Sequence, residues 1–352
     1  MASVAALWLG CGGGGDASDA GTDAGDAPID VGSATDGGTE RDGGAGVDGG
    51  SEADSGSGPD AGHVADGGTD AAAPPPGIPF GPFALMSGPT TWAYGPAPFT
   101  LTLNYMSPGM IVRALDDAHA AGVHLVLAMT GGPHDLYITS GHFDRALWNA
   151  RMDLFDTPAI QAAVAARVAD GTILAASVMD EPDHVSWGGV VTPAEIESMS
   201  SYVKAIFPTL PTATVVQLDW YPSYVYGSLD FLIRQFSYDL VPAQGPSEPN
   251  AYRAQVIAQA AAQHVGVFFS MNILDGGARG TPCPAGAGTY GANCRMTPVE
   301  VETAADALTS DRACGLLMWQ SDATYFGDAA HVAAFTRAAA TLGARTPDCR
   351  VR

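Results

Sequence analysis

"TPAIQAAVAARVADGTILAASVMDEP", residues 157–182, decides the fold. Thr157 is a helix N-cap, and Pro158 suits the first helical position, where its missing N–H costs no hydrogen bond. A helical run follows and ends at Gly171. Directly after it comes "ILAASVMDEP" (173–182), whose apolar residues are continuous rather than alternating, as in a parallel strand buried on both faces. A helix feeding such a strand is one αβ step, and a parallel α/β fold needs several.

The rest of the chain supplies them. Seven further runs read as strands: "FALMSG" (83–88), "FTLTLNYM" (99–106), "HLVLAMTG" (124–131), "ATVVQLDWYP" (213–222), "FLIRQFSYDL" (231–240), "GVFFSMNIL" (266–274) and "CGLLMWQSDATY" (314–325). Helical patterns alternate with them at 107–122, 192–207, 250–266, 297–310 and 328–343. Thr192 with Glu195, and Thr297 with Glu300, are spaced as capping boxes. The links after the first and fifth runs are too short for a full helix. Residues 79–352 fit one (β/α)₈ TIM barrel, a fold of typically ~250 residues.

Residues 12–78 differ in kind, being Gly, Ala, Asp, Ser, Thr and Pro with almost no large apolar side chains. Such a segment cannot offset its ordering entropy and is expected to be a disordered acidic Gly/Ala/Asp tether. From Gly12 to Asp70 it holds fourteen Asp or Glu against one Arg, so 13 of the 23 net negative charges lie there. Nothing in this balance would neutralise phosphates, which excludes nucleic acid as a partner. Residues 1–11, "MASVAALWLGC", resemble the end of a bacterial lipoprotein signal peptide with Cys11 as the lipidated residue. The resemblance implies export, either as a cell-envelope lipoprotein (outer membrane or cell surface) or as a secreted protein, with membrane contact through the anchor only.

Four other cysteines suit an oxidising compartment, and the barrel topology chooses their pairing. Cys314 opens the eighth strand at the bottom and Cys349 follows the last helix back to it; Cys283 and Cys294 share the loop after the seventh strand. The expected disulfides are 283–294 and 314–349.

In such a barrel the site lies at the C-terminal ends of the strands. Those ends carry Asp180 and Glu181, then Asp219, Trp220 and Tyr221, then Tyr238 and Asp239, then Asn272 and Asp275, and finally Trp319, Gln320, Asp322 and Tyr325. His134 and His184 on top loops join them as candidate substrate contacts. Aromatic faces beside hydrogen-bonding carboxylates suit a sugar, which offers C–H faces and peripheral hydroxyls. No cofactor is implied: the single lysine, Lys204, lies mid-helix, and no phosphate-cradling glycine loop or metal-ligand spacing is present.

"DEP" (180–182) resembles the Asn-Glu-Pro that ends strand four in the large glycoside hydrolase clan built on (β/α)₈ barrels. "MTGGPHDLY" (129–137), "FDRALWNARMD" (143–153), "VKAIFPTLP" (203–211) and "MNILDGG" (271–277) are similar to exported bacterial glycoside-hydrolase-like proteins of uncharacterised activity. The resemblance implies Glu181 as general acid/base, with Asp180 in the place of the clan's Asn. The clan's nucleophile, a glutamate ending strand seven, has no counterpart here, where Asn272 and then Asp275 occur. Asp275, Asp219, Asp239 or Asp322 would have to partner Glu181. The alternative is a catalytically silent surface module that binds carbohydrate or another partner on the same rim.

Overall fold

A computed structural model describes residues 77–349 apart from 89, 90, 96, 131–133, 241, 243, 281, 320 and 321. Cys11, the segment 1–11, the tether up to residue 76, and Gln320 lie outside the described residues.

Eight parallel strands form one sheet: β1 (Phe80–Pro82), β2 (Leu101–Tyr105), β3 (His124–Ala128), β4 (Ile173–Asp180), β5 (Thr212–Val216), β6 (Phe231–Phe236), β7 (Gly266–Asn272) and β8 (Leu316–Trp319). Each pairs with its neighbours in sequence, and β8 returns to β1. A parallel bridge between Phe83 and Leu103, with Ala84 N–H donating to the Leu103 carbonyl at 2.8 Å, closes the circle. Gly81 permits that closure, since a Cβ there would lie 1.9 Å from the Leu101 carbonyl oxygen. The protein is a (β/α)₈ barrel.

Side chains alternate in and out of the barrel. Leu101, Val126, Ala175, Val215, Ile233, Phe268 and Leu317 fill the interior. The outward set, including Phe236, Phe269, Met271 and Met318, packs under α1 (Ile111–Ala121), α2 (Arg145–Asp153), α3 (Pro158–Ala169), α4 (Pro193–Ile206), α5 (Pro249–Gln263), α6 (Pro298–Leu308), α7 (Ala323–Gly327) and α8 (Ala329–Gly343). Among the described residues no α-helix follows β1 or β5, as the short links require.

Three local expectations change. The first barrel strand is Phe80–Pro82, and the expected "FALMSG" run turns away into a hairpin, Met86–Gly88 against Thr91–Trp92. Side chains of β2 draw it off: Leu85 N–H donates to Thr102 Oγ1 at 3.1 Å, and Asn104 exchanges hydrogen bonds of 3.1 and 2.7 Å with the Met86 backbone. The second capping box is complete at α6, whereas at α4 the Glu195 carboxylate turns to Arg145 at 2.8 Å. Of the expected disulfides, Cys283–Cys294 is formed. Cys314 and Cys349 meet at the barrel bottom as the topology requires, but as two hydrogen-bonded thiols rather than as a disulfide.

Candidate active site

The site begins with an irregularity in β4. Its register against β5 slips between Ser177 and Asp180, and the Met179 carbonyl is taken by the hydroxyls of Thr214 at 2.9 Å and Ser177 at 3.2 Å. Such a bulge re-aims the side chains beyond it. Glu181 then has φ +41°, in the left-handed region that a non-glycine residue enters at a cost of about 1–2 kcal/mol. Its N–H donates to the Val215 carbonyl at 3.0 Å, and its carbonyl accepts from His184 N–H at 2.8 Å.

The surroundings of Glu181 set its charge. Burial, then the neighbouring charges of Asp180 and Asp183, push its carboxyl up to about 8, while a hydrogen bond with Gln235 works against them. Asp275, beyond the end of β7, adds further repulsion, so its carboxyl lies within electrostatic reach of Glu181. Asp275 is itself pushed up to about 6 by burial and by Asp239, against a hydrogen bond with Asn272. Burial likewise lifts Asp180 to about 6. Glu181 thus holds its proton to about 8 while Asp180 and Asp275 release theirs at about 6, the separation an acid and a base require.

Three oxygens stand out at these strand ends. Asp180 Oδ1, Asn272 Oδ1 and Asp275 Oδ1 are buried and have no hydrogen-bond partner in the protein. Buried polar atoms are ordinarily satisfied, and acceptors of this kind call for donors.

The remaining sequence candidates divide. Asp219 is exposed on the loop after β5, where its charge reaches Asp183. Asp239 is held by the Ser237 hydroxyl and by Arg279 at 3.5 Å. Asp322 is spent on structure: it caps α7 through Tyr325 N–H at 2.7 Å and pairs with Arg295 at 3.4 Å. Trp220 and Tyr325 are buried packing residues, the first donating to Tyr226 Oη at 3.2 Å and the second to the Met296 carbonyl at 2.8 Å. Tyr238 is half-buried and donates to the Glu300 carbonyl at 3.1 Å. Two aromatic faces stay accessible: Tyr221, 45 % exposed at φ +32°, and half-buried Trp319, edge-on to Tyr290 at 6.5 Å. His134 and His184 both reach Ser186 Oγ, at 2.6 and 2.7 Å.

Residues not singled out from the sequence complete the site. Gln217 Nε2 donates to Gln235 Oε1 at 3.0 Å, which leaves the Gln235 amide group to donate to Glu181. Arg151, from α2, donates to the Tyr105 hydroxyl at the top of β2. Once the barrel shows that Ile233, Val215 and Leu103 point inward, the strand period puts Gln235, Gln217 and Tyr105 one layer higher. Among the described residues no group of three or more His, Cys, Asp or Glu is placed to hold a metal ion.

No protein-family model matches the chain, and no curated protein matches it. Solved structures do. An endo-β-1,4-mannanase from Thermotoga petrophila aligns over 78 % of each chain with 10 % identity and a TM-score of 0.47. An endo-1,4-β-mannanase from Rhizomucor miehei aligns over 77 % of this chain and 96 % of its own, with 12 % identity and a TM-score of 0.45. A chitinase from the same organism covers 74 % of this chain and 99 % of its own, with 12 % identity and a TM-score of 0.43.

Proposed function

We propose that this protein hydrolyses glycosidic bonds in a polysaccharide or glycan, with Glu181 as general acid. The observation that carries the reading is the placement of Glu181, held protonated to about pH 8, at strand ends that also carry the unpartnered acceptor oxygens of Asp180, Asn272 and Asp275. Glu181 donates its proton to the glycosidic oxygen as the bond from that oxygen to the anomeric carbon breaks. Asp275, ionised above about pH 6, is the partner from beyond the end of β7. It acts as base on water or as nucleophile, according to its separation from Glu181. The carboxyl cluster repels anionic sugars, which favours a neutral glycan. Cys11, within the lipoprotein-like stretch, anchors the exported protein to the envelope, and a C11S variant released from the membrane fraction would support this placement.

A second reading has one observation in its favour. β7 ends in Asn272, with Asp275 three residues beyond it and hydrogen-bonded to that asparagine. A surface module that binds glycan without cutting it would need no more. Calorimetry against a panel of neutral polysaccharides, paired with assay of new reducing ends, separates the two. Release of reducing ends supports hydrolysis, heat of binding without release supports the module, and neither signal defeats both readings.

A further inference from the structure

We propose that Trp187 is the positioning residue for Glu181, its single indole N–H fixing the backbone kink from which the acid projects. This inference rests on the reading of Glu181 as the acid. Trp187 is fully buried, and its Nε1–H is shared between the carbonyls of Asp180 at 3.1 Å and Glu181 at 3.0 Å. In an extended strand successive carbonyls point to opposite sides, so two neighbours reach one donor only where the chain leaves the strand conformation. That departure is the left-handed φ of +41° at Glu181. Such a conformation persists in a non-glycine residue only where the surroundings over-determine it. The indole supplies the constraint from the side opposite the β5 ladder, where Val215 holds the Glu181 N–H at 3.0 Å.

Trp187 is itself clamped by the loop that follows β3. The His134 ring stacks on it at 4.1 Å and 25°, and Phe143 meets it edge-on at 5.8 Å. His134 is tied back to the same turn through Ser186 Oγ at 2.6 Å. Gly188, at φ +69°, completes the fit, since a Cβ there would lie 1.6 Å from the Gly141 carbonyl oxygen. Two loops are therefore interlocked around one ring, and the only polar atom of that ring is spent on the acid's backbone. A buried indole N–H needs an acceptor wherever it sits, and the two it takes here are the carbonyls that flank the kink.

The test removes the N–H and keeps the shape. In one variant Trp187 is replaced by β-(3-benzothienyl)alanine, which puts sulfur in place of the indole N–H; W187F is the simpler companion. Two readouts are taken on the full chain: the titration of Glu181 by carboxyl carbon NMR, assigned by difference from E181Q, and kcat and KM on the glycan that the wild type cleaves. We expect the Glu181 midpoint to fall by about one pH unit or more as the side chain gains water. We also expect kcat to fall roughly 10–100-fold with KM little changed, as for a misplaced catalytic group. An unchanged midpoint in the folded sulfur variant overturns the proposal, whatever the loss of thermal stability. A midpoint that moves in a protein that cleaves no glycan upholds the positioning and defeats the hydrolase reading instead.

Discussion

Glu181 concentrates the physical chemistry of the site: strained backbone, buried carboxyl and acidic neighbours in one residue. Its raised proton affinity, driven first by burial, has a consequence for stability as well as for catalysis. A carboxyl that binds its proton more tightly when folded contributes stability in full below its unfolded value, near 4.5, and loses it as pH rises to about 8. We expect E181Q, which cannot ionise, to be more stable than wild type at pH 8.5 by about 2–4 kcal/mol, and to show little difference at pH 4. Thermal melts of both proteins across that range check it, and a constant difference would contradict the assignment. The same groups shape the rate. With Glu181 protonated below about 8 and Asp275 ionised above about 6, kcat/KM should form a bell centred near pH 7. D275N should remove the acid limb along with most of the activity. Motif and resemblance together marked Glu181 as a candidate in the sequence, and the structure puts it directly after β4. Gln235 was not marked, because a lone glutamine inside "FLIRQFSYDL" means little until the barrel shows that it sits one layer above Ile233 and beside the acid.

At the scale of elements, seven of the eight runs read as strands hold a barrel strand in the expected order, and the first does not. "FALMSG" has the composition of a strand and forms half of a hairpin instead, because Thr102 and Asn104 on β2 capture its backbone. The eighth run was read through to Tyr325, yet β8 ends at Trp319 and Asp322 starts a helix by capping it. In both cases a side-chain hydrogen bond competes with the ladder, and such competition has no signature in apolar periodicity. The turn after β4 obeys a stricter steric rule. Gly188 combines a positive φ with the close approach of Gly141, so G188A should cost about 2–4 kcal/mol and loosen the Trp187 clamp. Denaturant unfolding of G188A measures the cost, and a loss within 0.5 kcal/mol would show that the two loops are not interlocked.

Across the whole molecule the barrel separates chemistry at the top from fastening at the bottom. Cys314 and Cys349 bring the start of β8 and the C-terminal segment together there, and burial, reinforced by Cys349, holds the Cys314 thiol well above its ordinary range. A thiol so rarely ionised oxidises slowly once folded. We therefore expect Cys314 and Cys349 to stay reduced in the folded protein and to be alkylated as free thiols in non-reducing peptide maps that show 283–294 as a disulfide. Pairing of Cys314 with Cys283 would contradict the topology. The location of the cysteines was legible because strand order alone decides which end of the barrel each occupies. Their redox state was not, since it depends on proximity and burial that no spacing reveals. The account as a whole stands on the acid at the end of β4, and one comparison tests it most directly. Wild type and E181Q, both shown to be folded, are incubated with the same neutral polysaccharides at pH 7 and new reducing ends are counted. The account predicts release by wild type and a loss of at least about 100-fold in E181Q. Equal release by the two proteins would contradict it.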